Sequence, residues 1–216
     1  MSRFPIVLSA PSGGGKTTVT RRLLHARPDI GYSVSCTTRA PRDGEVDGRD
    51  YHFLTVAEFT RRRARRQFAE SAEVHGRMYG TLRAEVRKVI GSGRHVIMDI
   101  DVQGARQFHA AFPESVLIFL LPPSGEVLLR RLVGRDTEGR ELQLVRLRAA
   151  LQEIEEVRRY HYVVVNDDLD ATIRRVSSIV DAEEVRHDRV PRVSRTVRTL
   201  VTQLKQEIQR YAKPKR

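Results

Sequence analysis

The chain has 216 residues, 40% of them hydrophobic, which suits one α/β core with small inserted subdomains and excludes a peptide-sized module. It contains no apolar run of about 18 residues, and the apolar start MSRFPIVLSA is too short for a signal peptide, so neither a membrane span nor export is expected; the single cysteine, Cys36, cannot form an internal disulfide and points to a reducing cytoplasm. The formal charge of +12 is largely a property of the tail, because residues 187–216 carry a net +7 and leave about +5 for the rest, a balance that suits small polyphosphate ligands and makes nucleic acid an unexpected partner.

In chain order, Phe4 to Leu8 reads as a buried parallel strand, followed by a helix from about Lys16 to Ala26. From Gly31 to Leu82 the texture changes to short alternating segments broken by Arg, Pro, Gly and Asp. That pattern predicts a small, mostly β insertion with one helix near Val56 to Arg66. The βα rhythm then resumes with a helix to Ile90, a strand His95 to Ile100, a helix Val102 to Ala111 and a strand Ser115 to Leu121. A helix from Ser124 leads to a charged, hinge-like stretch, Gly134 to Arg140, which opens a long charged helix reaching about Tyr160. The strand Tyr162 to Val165 and the helix Leu169 to Glu184 close the core. Strands alternating with helices predict an α/β fold, a parallel sheet with helices on both faces. The last thirty residues form a separate basic segment with Leu200, Leu204, Ile208 and Tyr211 on one helical face, expected to pack on the core or on a second subunit.

The most informative run is Ala10-Pro11-Ser12-Gly13-Gly14-Gly15-Lys16-Thr17, lying between a predicted strand and a predicted helix. This context is what makes a Walker A phosphate loop credible. Glycines let backbone N–H groups turn inward around phosphate oxygens, and the helix N-terminus adds positive potential. Lys16 is placed to reach the β- and γ-phosphates, and the Thr17 hydroxyl to ligate Mg²⁺, with Thr18 next to it. Ala10 stands where the first glycine of such loops is usual, which is tolerable if that residue keeps an ordinary backbone conformation. The loop predicts ATP binding and says nothing about the acceptor.

A second long motif runs from Ser33 through Ser35, Arg39, Arg42 and Asp50 to Tyr51 (SVSCTTRAPRDGEVDGRDY). Further on come Phe68-Ala69-Glu70, Tyr79-Gly80-Thr81, Asp99-Ile100-Asp101-Val102-Gln103-Gly104, Pro122-Pro123-Ser124 and Val165-Asn166-Asp167-Asp168-Leu169. Over residues 4–187 this series resembles the guanylate kinases, P-loop nucleoside monophosphate kinases. The resemblance implies a P-loop core (1–32, 83–127 and 155–187), a β-rich GMP-binding subdomain (33–82), a helical lid (128–154) and a basic extension (188–216).

The resemblance also implies roles. Arg39, Arg42, Tyr51 and Tyr79 would hold the GMP phosphate, as guanidinium forks and phenol hydroxyls suit phosphate oxygens. Glu70 and Asp101 would accept from guanine N1–H and N2–H₂, with Ser35 and Thr81 donating to O6. Asp99 takes a Walker-B-like place, touching Mg²⁺ through water, and Asn166 lies near the adenine. Arg131, Arg135 and Arg146 align with lid arginines that fold over the polyphosphate. Val145 departs from the family, which usually has Arg or Lys before Arg146.

Plainer readings stay open: Arg39 and Arg42 as a solvated loop, Tyr51 and Tyr79 as strand residues, Asp101 as a helix N-cap, and the lid as a charge-laced exposed helix. The expected chemistry is direct in-line transfer from ATP to GMP with Mg²⁺, without a covalent intermediate. Rival readings are a scaffold-type binding module, against which the intact Gly15-Lys16-Thr17 stands, and a sugar-phosphate kinase, against which Glu70 and Asp101 stand.

Overall fold

A computed structural model describes residues 2–74, 76–133, 140–190 and 193–212. The chain divides into two compact units, Arg3–Ser177 and a C-terminal unit from Ser178.

The first unit is organised by five parallel strands in the order β2-β7-β1-β8-β9: β1 (Pro5–Ser9), β2 (Ile30–Tyr32), β7 (His95–Asp99), β8 (Val116–Leu121) and β9 (Tyr162–Val165). Every residue of β1 is buried. This explains why Phe4 to Leu8 reads as a continuous apolar run, as central strands of a parallel sheet do. Parallel neighbours demand crossover connections, supplied by α1 (Lys16–Ala26), α3 (Arg83–Gly91) and α4 (Val102–Ala111) among others. Val7, Met98 and Leu117 of the sheet pack with Val86, Val89, Phe108 and Phe112 of α3, α4 and the end of α4. Chain order reverses around β1, between β7 and β8, so a crevice opens at the carboxyl ends of these strands, where open α/β sheets bind ligands.

A second sheet, ordered β4-β3-β6-β5, comprises β3 (Cys36–Thr37), β4 (His52–Phe53), β5 (Phe68–Val74) and β6 (Arg77–Leu82). It closes on α2 (Val56–Ala64) through Phe59, Phe68, Cys36 and Leu82, with the rings of Phe59 and Phe68 stacked at 4.4 Å. Near the start of the β5–β6 ladder the register breaks: Phe68 pairs with Leu82, but Glu70 pairs with Thr81, leaving one extra residue on β5. Such a bulge redirects the side chains beyond it.

The helices α5 (Gly125–Val133) and α6 (Arg140–Glu155) share an apolar contact of Leu128, Leu132, Ala150, Leu147 and Ile154. The charged helix expected to reach Tyr160 instead tightens into a 3₁₀ turn at Glu156–Arg159, a common finish to an α-helix. The stretch Gly134 to Arg140 lies mostly outside the described residues.

In the C-terminal unit, the end of α7 (Leu169–Glu184) is joined to α8 (Val193–Tyr211) through a turn in which Arg189 donates to Glu183 at 2.9 Å, both buried. No residue of α8 is buried. Leu204 and Ile208 are 63% and 66% exposed, so of the two packings expected for the apolar stripe, on the core or on a second subunit, the first is not found among the described residues.

Candidate active site

The loop after β1 takes its shape from its glycines. Gly13 and Gly15 have φ of 76° and 89°, a left-handed backbone that a side chain would strain. A Cβ on Gly13 would stand 3.3 Å from Leu132, so α5 rests directly on this loop and carries Arg131 beside it. Ala10 is fully buried, and no described non-glycine other than Arg66 has positive φ, so Ala10 keeps an ordinary backbone. A Cβ added to Gly14 would fall 2.7 Å from the Ala10 methyl. The methyl that replaces the usual first glycine is therefore accommodated by the absence of one at Gly14.

Lys16 Nζ donates to the Ala10 carbonyl at 2.9 Å. Asn166 is buried and donates to the Gly14 carbonyl at 2.8 Å, while its own amide oxygen accepts from Thr172. In this structure Asn166 is a strut beneath the phosphate loop. Pro11, Ser12, Thr17 and Thr18 occupy the loop and the first turn of α1, where the sequence reading put them.

Asp99, at the end of β7, lies across the crevice from α1. Its two carboxylate oxygens accept from the Thr17 hydroxyl at 2.9 Å and the Tyr32 hydroxyl at 2.8 Å. Burial, reinforced by the charge of Asp99, pushes the Tyr32 phenol above its ordinary range, so it remains a donor. A hydroxyl and a carboxylate at this spacing form an oxygen donor set suited to Mg²⁺.

The crevice is a cleft of about 970 Å³ that brings together Ser12, Lys16, Ser35, Tyr51, Glu70, Tyr79, Asp99, Asp101 and Arg146. Glu70 is buried, and burial pushes its carboxyl up to about 7, with the nearby Asp101 charge adding to the rise and the Thr81 hydroxyl, which donates to it at 2.7 Å, opposing it. Thr81 is fully buried behind Glu70. Asp101 caps α4, accepting from Gly104 N–H at 2.7 Å, and also faces the cleft, so the helix-cap reading and the cleft reading both hold for its position.

Arg39 is not a solvated side chain. Its guanidinium forks onto both oxygens of Glu45, at 2.8 and 2.9 Å, and lies 5.3 Å from the centroid of the Tyr51 ring. Tyr51 in turn meets Tyr79 edge-on at 6.1 Å. The Arg39 fork and the Arg42 N–H hold Glu45 down at about 2, so it stays ionised. Arg42 is exposed at the rim.

Of the arginines expected in a lid, Arg146 lines the cleft from α6 and Arg131 stands on α5, while Arg135 lies outside the described residues. One residue of α6 went unassigned in the sequence reading. Glu153, seven residues beyond Arg146, accepts from the Ser12 N–H at 2.8 Å. Burial raises its carboxyl above the ordinary range, with the Ser12 N–H and the Lys16 charge opposing. Glu45, Tyr32 and Gly104 were also missed. A Cβ on Gly104 would lie 2.9 Å from Glu70, so this glycine is what allows α4 to approach that carboxylate. Gly104 and Glu45 were visible in the motifs; the contacts of Tyr32 with Asp99 and of Glu153 with Ser12 join residues that nothing in the sequence links.

Comparison with known proteins decides the family. The sequence matches the family model of the guanylate kinases over residues 2–183. The chain belongs to the guanylate kinase family. It is 45% identical over 185 residues to the guanylate kinase of Clostridium perfringens (strain SM101 / Type A), covering 86% of each chain. It is 51% identical over 169 residues to that of Nitratidesulfovibrio vulgaris, covering 78% of this chain and 82% of the other. The crystal structure of guanylate kinase from Anaplasma phagocytophilum superposes with a TM-score of 0.72 at 37% identity, covering 87% of this chain and 89% of that one. As a family member it is a nucleoside monophosphate kinase, an ATP:GMP phosphotransferase. No described helix is long and apolar enough to cross a membrane.

Proposed function

We propose that ATP is held by Ala10 to Thr18, with Asn166 bracing the loop, and that GMP lies between the two sheets with its base against Glu70 and its phosphate against Arg39, Arg42, Tyr51 and Tyr79. The observation that carries this reading is the convergence of Glu70, Asp101 and the Tyr51–Tyr79 pair on the cleft that also holds Lys16. Guanine presents N1–H and N2–H₂, and the ionised Glu70 and Asp101 accept them, while Ser35 satisfies O6; the Thr81 hydroxyl, expected to share that task, is buried and already donates to Glu70. Adenine would leave these groups unpaired at about 1–3 kcal/mol each.

In this reading the Arg39 fork is preorganised by Glu45, so it meets the GMP phosphate without first being ordered. Lys16 leaves the Ala10 carbonyl for the transferring phosphoryl group, and Arg131, Arg135 and Arg146 offset the charge spread over it. Thr17 and, through water, Asp99 hold Mg²⁺, with Tyr32 fixing the Asp99 carboxylate. When bound, the metal neutralises charge on the phosphate oxygens and orients them for in-line displacement. Closing the lid excludes water that would otherwise hydrolyse ATP.

The division of labour is a P-loop core (1–32, 83–127, 155–187), a GMP subdomain (33–82), a lid (128–154) and an extension (188–216). The partners are ATP, GMP and a second copy of the chain, in the cytoplasm, where the buried free thiol of Cys36 stays reduced.

A coupled assay with ATP and each of GMP, AMP, CMP and UMP tests the acceptor, with only GMP expected to turn over rapidly. Glu70→Gln should lower kcat/KM for GMP by roughly tenfold or more, about 1–3 kcal/mol, and leave the KM for ATP nearly unchanged. An equal loss for both nucleotides would assign Glu70 to folding instead.

A further inference from the structure

The helix α4 runs beside β5, the edge strand of the second sheet. Three residues at intervals of three, Asp101, Gly104 and Gln107, meet that strand or the cleft beside it, and residues so spaced are neighbours on one helix face. Asp101 caps the helix and faces the cleft, and Gly104 leaves room for the Glu70 carboxylate. The third, Gln107, has no part in the catalytic reading, yet it is bonded twice to the backbone of Ser71, the residue after Glu70. Its amide oxygen accepts from the Ser71 N–H at 3.1 Å, and its amide nitrogen donates to the Ser71 carbonyl at 3.1 Å.

A glutamine suits this place chemically. Its amide offers a donor and an acceptor side by side, as a peptide group does, whereas a carboxylate only accepts and an ammonium only donates. The outward N–H and C=O groups of an edge strand have no neighbouring strand to bond, and Gln107 stands in for one at a single residue. The position along β5 matters as much. The ladder with β6 shifts register between Phe68 and Glu70, so pairing is disrupted just where the Glu70 side chain must be aimed. Directly after that bulge, Ser71 pairs with Gly80 on one side and is held by Gln107 on the other. Glu70 therefore sits one residue from the point at which β5 is gripped from both edges. Gln107 is exposed and water can replace its two bonds, so they contribute little to global stability.

We propose that Gln107 is a positioning residue for acceptor recognition: by clasping Ser71 it fixes the separation of Glu70 from Asp101, and with it the spacing at which two carboxylates meet a guanine base. Gln107 does not line the cleft, so it acts through Glu70. This role rests on Glu70 meeting the base, as proposed above.

Steady-state kinetics of Gln107→Leu, which keeps the bulk of the side chain and loses both bonds, test the role beside Glu70→Gln and the double variant. Gln107→Leu should raise the KM for GMP roughly three- to tenfold, with kcat, the KM for ATP and the melting temperature nearly unchanged. In the Glu70→Gln background the same substitution should add less than about twofold, because residues that act through one contact are not additive. Calorimetric titration with GMP alone should repeat this pattern in Kd. An unchanged KM for GMP in Gln107→Leu overturns the proposal, as does a full additional loss in the double variant. So does a rise in KM for both nucleotides with a lower melting temperature, which would make the clasp a structural finish to the strand edge. If Glu70→Gln itself leaves GMP binding intact, the reading of Glu70 falls and the role of Gln107 falls with it. If Glu70→Gln weakens GMP binding and Gln107→Leu does not, only the role of Gln107 is wrong.

Discussion

The phosphate loop and the pocket proposed for the acceptor are two halves of one cleft made by opposite means. The loop is local: eight consecutive residues whose backbone shape follows from Gly13 and Gly15, with one side chain, Lys16, reaching inward. The pocket is assembled from β3, β5, β6 and the β7–α4 junction, and its groups are side chains held by other side chains or, at Asp101, by a backbone N–H. Glu45 aims Arg39, Thr81 donates to Glu70, and Gly104 leaves room for both Glu70 and Asp101. A backbone site resists most side-chain changes but fails at its few special residues. A side-chain site degrades at many positions, each by a smaller amount.

The largest effect should come from the loop. Lys16→Ala removes the charge proposed to meet the moving phosphoryl group, and kcat should fall by about 10²-fold or more at an unchanged melting temperature. Turnover within a few-fold of wild type, in protein that melts normally, would break the contrast at its strongest point.

Gly104→Ala probes the pocket with one methyl group. That methyl would stand 2.9 Å from the Glu70 carboxylate and 3.4 Å from Asp101 Oδ1, so the carboxylates must shift. The expected result is a roughly tenfold rise in KM for GMP with little change for ATP, since a displaced hydrogen bond is worth about 1–2 kcal/mol. Equal effects on both substrates would mean that the two halves are mechanically one.

The smallest effect, and the sharpest in direction, is on pH. Burial lifts the Glu70 carboxyl from its ordinary 4.5 to about 7. An acid whose affinity for protons rises on folding makes the folded protein lose stability as pH climbs from about 4.5 to about 7. Glu70→Gln should therefore raise the melting temperature at pH 8 relative to wild type and leave it nearly equal at pH 4. In the same window guanine needs the ionised form, so the KM for GMP should increase as pH falls below about 7, and that for ATP should not. A flat GMP profile would show that Glu70 does not meet the base.

Legibility follows the same division between local and assembled features. The parallel core was readable because buried strands and their helices write period and length directly into the chain; β1, α1, α4, β9 and α7 lie where the pattern put them, within a residue or so. The phosphate loop was readable because its residues are contiguous. The residues expected to bind the acceptor were named through resemblance, and the structure shows what holds their side chains in place. Glu70 reaches the cleft past a bulge at β5 that alternation alone does not predict. Ser12 and Glu153 are 141 residues apart, and Asp99 and Tyr32 are 67 apart. No local rule connects such pairs.

By itself, then, the sequence determined the alternation of strands and helices, the phosphate loop with Lys16 and Thr17, the concentration of positive charge after residue 187 and the apolar stripe of α8, all consequences of short-range sterics, periodicity and charge. Tertiary structure decided which carboxylate is buried against the cleft, which one braces an arginine and which one reaches the phosphate loop. Glu70, Glu45 and Glu153 are chemically the same residue type. Burial raises the first and third, while the Arg39 fork and the Arg42 N–H hold the second down. Desolvation and the nearest charge act over a few ångströms of space, and the folded arrangement of distant segments sets those distances.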